Sequence, residues 1–166
     1  MLRGVVVGLA GRGHLVSVIA RRHAPLSALA RSHAGIHPMP CDYREAGVLA
    51  AAIRTGVSAR GAFGLCLAWI HSPWEEPLGV IAGMIGVGRR DVRLIQVVGS
   101  AHADPAGADR SDVECERVIL GFVVEGSRSR WLTHDEIAAG VMGAIDRPAR
   151  STIVGQVEPW GRRPGD

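Results

Sequence analysis

An α/β fold with a mainly parallel sheet is what this sequence predicts, on three observations. Apolar runs of strand length alternate with longer segments of helical periodicity. One of those runs, Leu65-Cys66-Leu67-Ala68-Trp69-Ile70, is apolar without interruption, as expected of a strand covered by helices on both faces. The chain, 166 residues with 47% apolar composition, is long enough for one real core and too short for two comfortable ones. The expected organisation is a single domain over residues 1–160 and a flexible tail over 161–166.

The elements follow in order. Over residues 1–13, Leu2, Val5, Val6, Leu9 and Ala10 fall on one helical face, and Gly4-x-x-x-Gly8 permits close packing. Gly11-Arg12-Gly13 would end that helix. The rival reading makes Val5-Val6-Val7 a strand and Gly8 to Gly13 a turn. Its Gly-x-x-Gly-x-Gly spacing fits neither Gly-x-Gly-x-x-Gly nor Thr-Gly-x-x-x-Gly-x-Gly, and it leaves no helix before the next strand. We take the helix, despite the cost of Gly and Val to helix propensity.

His14 to Ala20 is a β-branched strand closed by Arg21-Arg22. Pro25 opens a short helix through Ser27, Leu29 and Ala30. Ile36 to Asp42 is extended, made irregular by Pro38 and Pro40. Arg44 to Arg54 reads as a helix burying Val48, Leu49, Ala52 and Ile53, and Leu65 to Ile70 is the uninterrupted strand. Pro77 to Gly88 is a glycine-weakened helix, Val92 to Ser100 a strand, and Ala101 to Asp112 a mobile loop. Arg117 to Val124 reads as one strand. Thr133-His134-Asp135-Glu136 is a capping box that starts a helix over Glu136 to Ile145, and Ser151 to Val157 is a last short strand before a polar end.

Composition narrows the function classes. All 19 basic residues are arginine, and the net charge is +3. They occur as scattered pairs, Arg21-Arg22, Arg89-Arg90 and Arg162-Arg163, and not as a stripe interleaved with aromatics, so a nucleic-acid partner is not expected. No apolar stretch reaches the length of a membrane span, and no signal peptide is legible, so the expected location is cytoplasmic with no membrane partner. Cys41, Cys66 and Cys115 are odd in number and widely spaced, which points to buried thiols and away from a disulfide framework or a zinc site.

The strand ending Val18-Ile19-Ala20-Arg21-Arg22 arrives early. In a dinucleotide-binding unit such a strand is the second, preceded by a strand, a glycine-rich turn and a helix that together need about 25–30 residues. Thirteen residues precede His14. With those thirteen read as a helix, the first strand of such a unit is missing, and it is the central one of the sheet. Its loss would leave unpaired backbone groups there. The expectation is therefore that Met1 is internal to a longer reading frame that supplies the strand and phosphate turn.

Taken together, these segments resemble the short-chain dehydrogenase/reductases. The matching residues are Val18-Ile19-Ala20-Arg21-Arg22, Cys41-Asp42-Tyr43, Ala68-Trp69-Ile70-His71-Ser72, Val97-Val98-Gly99-Ser100, and Ile119 to Gly126 with Ser129 to Thr133. The resemblance implies a Rossmann-like three-layer fold, N-terminally truncated, with a mainly parallel sheet and helices on both faces. It implies a small-molecule nucleotide ligand, NADP over NAD, an oxidoreductase label of unknown substrate, and a homo-oligomer.

Residues just past strand carboxyl ends are the ones placed to touch a nucleotide. Arg21 and Arg22 lie there, and guanidinium suits a ribose 2′-phosphate; an ordinary solvated pair closing a strand is the alternative. Asp42 resembles the acid that meets the adenine amino group, with Tyr43 alongside; its alternative is a helix N-cap. Ala68, Trp69, Ile70 and His71 stand where the family has an Asn-Asn-Ala-Gly turn lining the nicotinamide ribose, so a bulky indole and an imidazole replace small residues.

The family's Tyr-x-x-x-Lys pair, in which lysine lowers the tyrosine pKa, has no counterpart. The chain has no lysine, and its one tyrosine is Tyr43. Ser100 matches the substrate-orienting serine by position alone. Ser100, His102 and Asp104 cannot easily converge as a triad from alternate residues of one segment. His33, His37 and Cys41 would share a helical face were Pro38 and Pro40 not there, and no metal site is expected. Two classes stay open: a nucleotide-binding, oxidoreductase-like protein, or a non-catalytic Rossmann module used for oligomerisation or nucleotide sensing.

Overall fold

The chain begins with a helix, α1 (Arg3–Gly11), as the apolar spacing requires. The computed structural model describes residues 1–70, 76–86, 92–100 and 115–165. Val5, Leu9 and Ala10 are buried along one face of α1, and Gly13, at φ +87, turns the chain out of it. The two glycines bring α1 against a later helix, α5 (His134–Asp146). A Cβ on Gly4 would stand 2.7 Å from Cβ of Ala138, and one on Gly8 would stand 3.5 Å from Cε of Met142.

Between these helices run β1 (Val16–Ala20), α2 (His23–Ala30), β2 (Ile36–Pro40), α3 (Ala46–Arg60), β3 (Leu65–Trp69), α4 (Glu76–Ile85), β4 (Arg93–Gly99) and β5 (Glu116–Leu120). A hairpin, β6 (Phe122–Glu125) and β7 (Arg128–Trp131), precedes α5, and β8 (Ser151–Val154) follows it. The capping box forms as the sequence requires. Thr133 Oγ1 accepts from the Glu136 amide at 3.2 Å while Glu136 Oε2 accepts from the Thr133 amide at 2.8 Å.

Three readings need correction. The third helix runs to Arg60, past Arg54, and its buried face is Leu49, Ile53 and Gly56, with Val48 49% exposed. Residues 117–124 are not one strand. Gly121 breaks them, because Gln156 crosses so closely that a Cβ there would lie 2.0 Å from its carbonyl oxygen. Phe122 and Gln156 then exchange two backbone hydrogen bonds of 2.8 Å. The last strand ends at Val154, before Gly155 with φ +78. The expected loop over Ala101 to Asp112 lies outside the described residues.

The fold is α/β in three layers. β3, β4, β5 and β8 form a parallel sheet in that order, β1 and β2 form a second parallel pair, and β6 and β7 are antiparallel. Alternate side chains of β3 serve opposite faces. Leu65, Leu67 and Trp69 pack with Val5 and Leu9 of α1 and Ile137 and Val141 of α5, whereas Cys66 and Ala68 pack with Leu49 and Ile53 of α3 and Leu78 and Ile81 of α4. β1 divides in the same way, Val16 to the first cluster and Ile19 to the second. Burying each Leu or Ile of these clusters contributes about 1.5–3 kcal/mol.

β1 and β3 therefore belong to one layer, but among the described residues they are not paired. The backbone shows which groups face the space between them. The Val16 amide donates to Gly35 and the Ala20 carbonyl accepts from Cys41, so even-numbered residues of β1 point to β2. The Gly64 carbonyl accepts from Arg93, so even-numbered residues of β3 point to β4. In a parallel ladder the odd-numbered residues, Ser17 and Ile19 on one side and Leu65 and Leu67 on the other, then turn their N–H and C=O groups into the gap. Both strands are half-buried along nearly all their length, where an apolar strand such as β3 is expected to be covered.

At the far end, Arg162 donates to the Gly126 carbonyl of the hairpin turn. The Arg163 guanidinium lies 5.1 Å from the Trp131 ring centre and 5.2 Å from that of Trp160.

Candidate functional site

In a parallel sheet the carboxyl ends of all strands gather at one edge, and the segments just beyond them form the crevice where ligands bind in such folds. Here β1 and β2 end in register, Ala20 opposite Pro40, which places Arg21 and Arg22 beside Cys41, Asp42 and Tyr43. α1 belongs to this edge too. Its C-terminal end feeds the start of β1, so its N-terminal N–H groups lie at the carboxyl edge.

Arg21 and Arg22 are exposed. Neither side chain makes a hydrogen bond among the described residues, and Arg22 occupies the N-cap of α2 in extended backbone. Asp42 is held by Arg44. Its Oδ1 accepts from the Arg44 amide at 3.1 Å and from Arg44 Nε at 2.9 Å. This pairing, followed by the nearby charge of Arg21, pulls the Asp42 carboxyl down to about 2. Helix α3 has Glu45 at its N-cap, so Asp42 caps an Asx-type turn ahead of the helix and not the helix itself. Arg44, which the sequence reading passed over, is thus a principal neighbour of Asp42; an Asp-x-Arg spacing after a strand was the signal for it.

Tyr43 is half-buried and packs against the α3–α4 cluster. The Cys41 thiol is pushed up by burial and by the Asp42 carboxylate, so it stays protonated at neutral pH and is a poor nucleophile. Burial pushes the Cys66 thiol up to about 12, with the same consequence. All three cysteines are free.

The β3 segment is divided. Ala68 is 4% exposed, with its side chain in the α3–α4 cluster, so it contributes backbone and packing. Trp69 ends β3 with its side chain against the opposite cluster, and Ile70, which follows, packs against the α3–α4 cluster. His71 lies outside the described residues. Ser100, just past β4, is 3% exposed, and its Oγ has no hydrogen-bond partner among the described residues. The structure brings Arg21, Arg22, Asp42 and Tyr43 together on the ends of β1 and β2; Ala68, Trp69, Ile70 and Ser100 sit on β3 and β4, across the gap in the sheet.

Among the described residues no group of His, Cys, Asp and Glu is arranged to hold a metal ion, and no helix is long and apolar enough to cross a membrane.

No protein-family model matches the sequence, and no curated protein matches it. Solved structures are similar in fold. A short-chain dehydrogenase/reductase mutant of Serratia marcescens superposes with TM-score 0.69 at 16% identity, over 92% of this chain and 91% of that one. A metagenomic short-chain oxidoreductase in complex with NADP gives TM-score 0.65 at 14% identity, over 92% and 90%. A Pseudomonas aeruginosa short chain oxidoreductase with an atypical catalytic center gives TM-score 0.58 at 15% identity, over 75% and 66%. The chain has the Rossmann-like fold of the short-chain dehydrogenase/reductases.

Proposed function

We propose that this chain is a nucleotide-binding protein of the short-chain dehydrogenase type that takes NADP in preference to NAD and does not use tyrosine–lysine chemistry. The observation that carries the reading is the pair Arg21-Arg22, exposed at the carboxyl end of β1 and without hydrogen-bond partners among the described residues, beside Asp42 after β2. Two guanidinium groups at that position suit a ribose 2′-phosphate through charge-assisted, bidentate bonds. Asp42 is ionised at neutral pH, and with its two oxygens already taking four contacts from Arg44 it would accept from an adenine amino group, with Tyr43 alongside, by releasing one of them. The first-turn amides of α1 would face the diphosphate. The adenosine half of such a cofactor fits these residues.

The nicotinamide half fits less well. At the positions where small residues would line a ribose, Trp69 and Ile70 turn their side chains into the two core clusters, and Ser100 is buried. With no lysine in the chain, the proton shuttle of that chemistry has no donor pair. This favours, as the second reading, a non-catalytic module that senses nucleotide or assembles with its own copies. Where nucleotide is bound or sensed, the ligand is a small nucleotide held in the crevice at the carboxyl edge.

Titration with NADPH and NADH, followed by Trp fluorescence, tests the nucleotide reading. NADPH is expected to bind more tightly than NADH. Arg21→Ala with Arg22→Ala should weaken NADPH by roughly 10- to 100-fold, about 1.4–2.8 kcal/mol, and leave NADH unchanged. Equal weakening of both nucleotides, or binding of neither, defeats it.

A further inference from the structure

The cations gathered at the carboxyl edge include one that the nucleotide reading leaves unused. Arg44 grips the Asp42 carboxylate with its side chain, Nε at 2.9 Å from Oδ1 and 3.1 Å from Oδ2, and Nη2 at 2.5 Å from Oδ2. Its backbone amide separately donates to Oδ1 at 3.1 Å. Arg21 adds its charge to the same carboxylate from the end of β1. The register explains this. Ala20 lies opposite Pro40 and its carbonyl accepts from the Cys41 amide, so Arg21 and Arg22 leave β1 alongside Cys41 and Asp42, about one strand spacing of 4.8 Å away. An anion of the chain itself therefore sits where cations from two strand ends converge. We propose that the Asp42 carboxylate holds the place of the ribose 2′-phosphate, and that Arg44 exchanges this carboxylate for the phosphate when NADP binds. Arg44 is then a specificity-determining residue beside Arg21 and Arg22, a role that rests on the nucleotide reading of the site.

The exchange follows from the chemistry of the two anions. The Arg44 and Asp42 side chains are 40% and 30% exposed, and an ion pair so open to water contributes little and yields readily. A ribose phosphate carries nearly two charges and three acceptor oxygens, and it meets guanidinium through bidentate, charge-assisted bonds. The surroundings favour it, because Arg21, Arg22 and Arg44 outnumber Asp42 and Glu45, the latter acting on Arg44 from the N-cap of α3. The amide bond from Arg44 to Oδ1 does not involve the guanidinium. Asp42 thus stays in place when the Arg44 side chain turns away, and its Oδ2 is released to accept from the adenine amino group. One side-chain movement then selects the phosphate and frees the acceptor for the base. A neutral 2′-hydroxyl does not draw Arg44 away, so with NAD the adenine must compete with the ion pair for the same oxygens.

Nucleotide titrations combined with nuclear magnetic resonance test it. In the native chain NADPH should shift the Arg44 Nε–H signal, identified as the one lost in Arg44→Gln, and NADH should leave it in place. Arg44→Gln should lower the ratio of NADPH to NADH affinity by at least about tenfold, with Arg44→Lys intermediate because it keeps the charge without the fork. Asp42→Asn removes the competing anion but keeps a carbonyl for the adenine amino group, so it should raise that ratio by about three- to tenfold. If Asp42→Asn lowers the ratio or leaves it unchanged, the exchange is overturned, because Asp42 is then no competitor of the phosphate. An Nε–H signal that NADPH leaves unmoved overturns it as well, and so does a ratio that Arg44→Gln does not change. In each of these cases tighter binding of NADPH than of NADH by the native chain leaves the nucleotide reading standing. Binding of neither nucleotide defeats that reading and the exchange with it.

Discussion

Arg93 joins three elements through one guanidinium. From the start of β4 it grips Glu116 at the start of β5, Nε to Oε1 at 2.6 Å and Nη2 to Oε2 at 2.8 Å, and it donates to the Ala144 and Ile145 carbonyls at the end of α5. The cation thus also serves a helix C-terminus, where the exposed carbonyls and the helix dipole favour it. Arg93→Met should cost about 2 kcal/mol in urea unfolding, because it strands a half-buried carboxylate and two carbonyls. Hydrogen bonding from Arg93 holds the Glu116 carboxyl below its ordinary value of 4.5. Its folded-state pKa lies below the unfolded one, so this contribution is complete above the ordinary glutamate range and disappears as pH falls through the lowered folded value. The acid limb of stability in the native protein should therefore be steeper than in Glu116→Gln, as measured by unfolding midpoints between pH 5 and about 2. Nothing in the sequence marked this residue, since a lone arginine in a strand reads as a solvated charge until the helix end it caps is placed beside it.

At the scale of elements, glycine spacing predicts two opposite outcomes. On α5, a Cβ at Gly140 would stand 2.4 Å from both γ-carbons of Val154 on β8. Gly140→Ala should therefore destabilise by roughly 1–3 kcal/mol through overpacking, although alanine is the better helix former. Gly8 of α1 has 3.5 Å to the flexible end of Met142, so Gly8→Ala should be neutral or raise stability by up to about 1 kcal/mol. Thermal melts of the two variants check both. The helices were legible because their signals are local: apolar spacing for α1, and Thr133 with Glu136 for α5. Replacing the cap, Thr133→Ala, should cost about 1 kcal/mol on the same assay. The β6–β7 hairpin was not legible. Its break at Gly121 is imposed by Gln156 from a distant part of the chain, and the turn at Gly126, φ +61, sits in a run too short and too charged to alternate visibly.

Across the whole molecule, the order of strands and helices could be read from the sequence apart from the β6–β7 hairpin, and so could the early arrival of β1. The division of the sheet that follows from it could be anticipated only as missing pairing, because hydrogen-bond direction depends on register, which Gly35, Cys41 and Gly64 reveal through the partners they choose. The candidate site was half legible for a related reason. Residues after strand ends could be named, but Arg44 on Asp42 and the burial of Ser100 depend on how neighbouring segments fold back. Another long-range contact sets how the molecule opens. With Arg163 held between two indoles that are themselves 38% and 49% exposed, the chain end ties itself to the hairpin, enclosing α5 and β8 in a loop closed without any covalent bond. Such a closure should couple opening of the hairpin to release of the chain end. Arg163→Ala should thus speed tryptic cleavage after Arg128 and Arg130 by roughly tenfold, the equivalent of about 1.4 kcal/mol of lost cation–π attraction, with little change in global melting. In kinetic terms, the last few residues act as a latch on a door that the core does not need to keep shut.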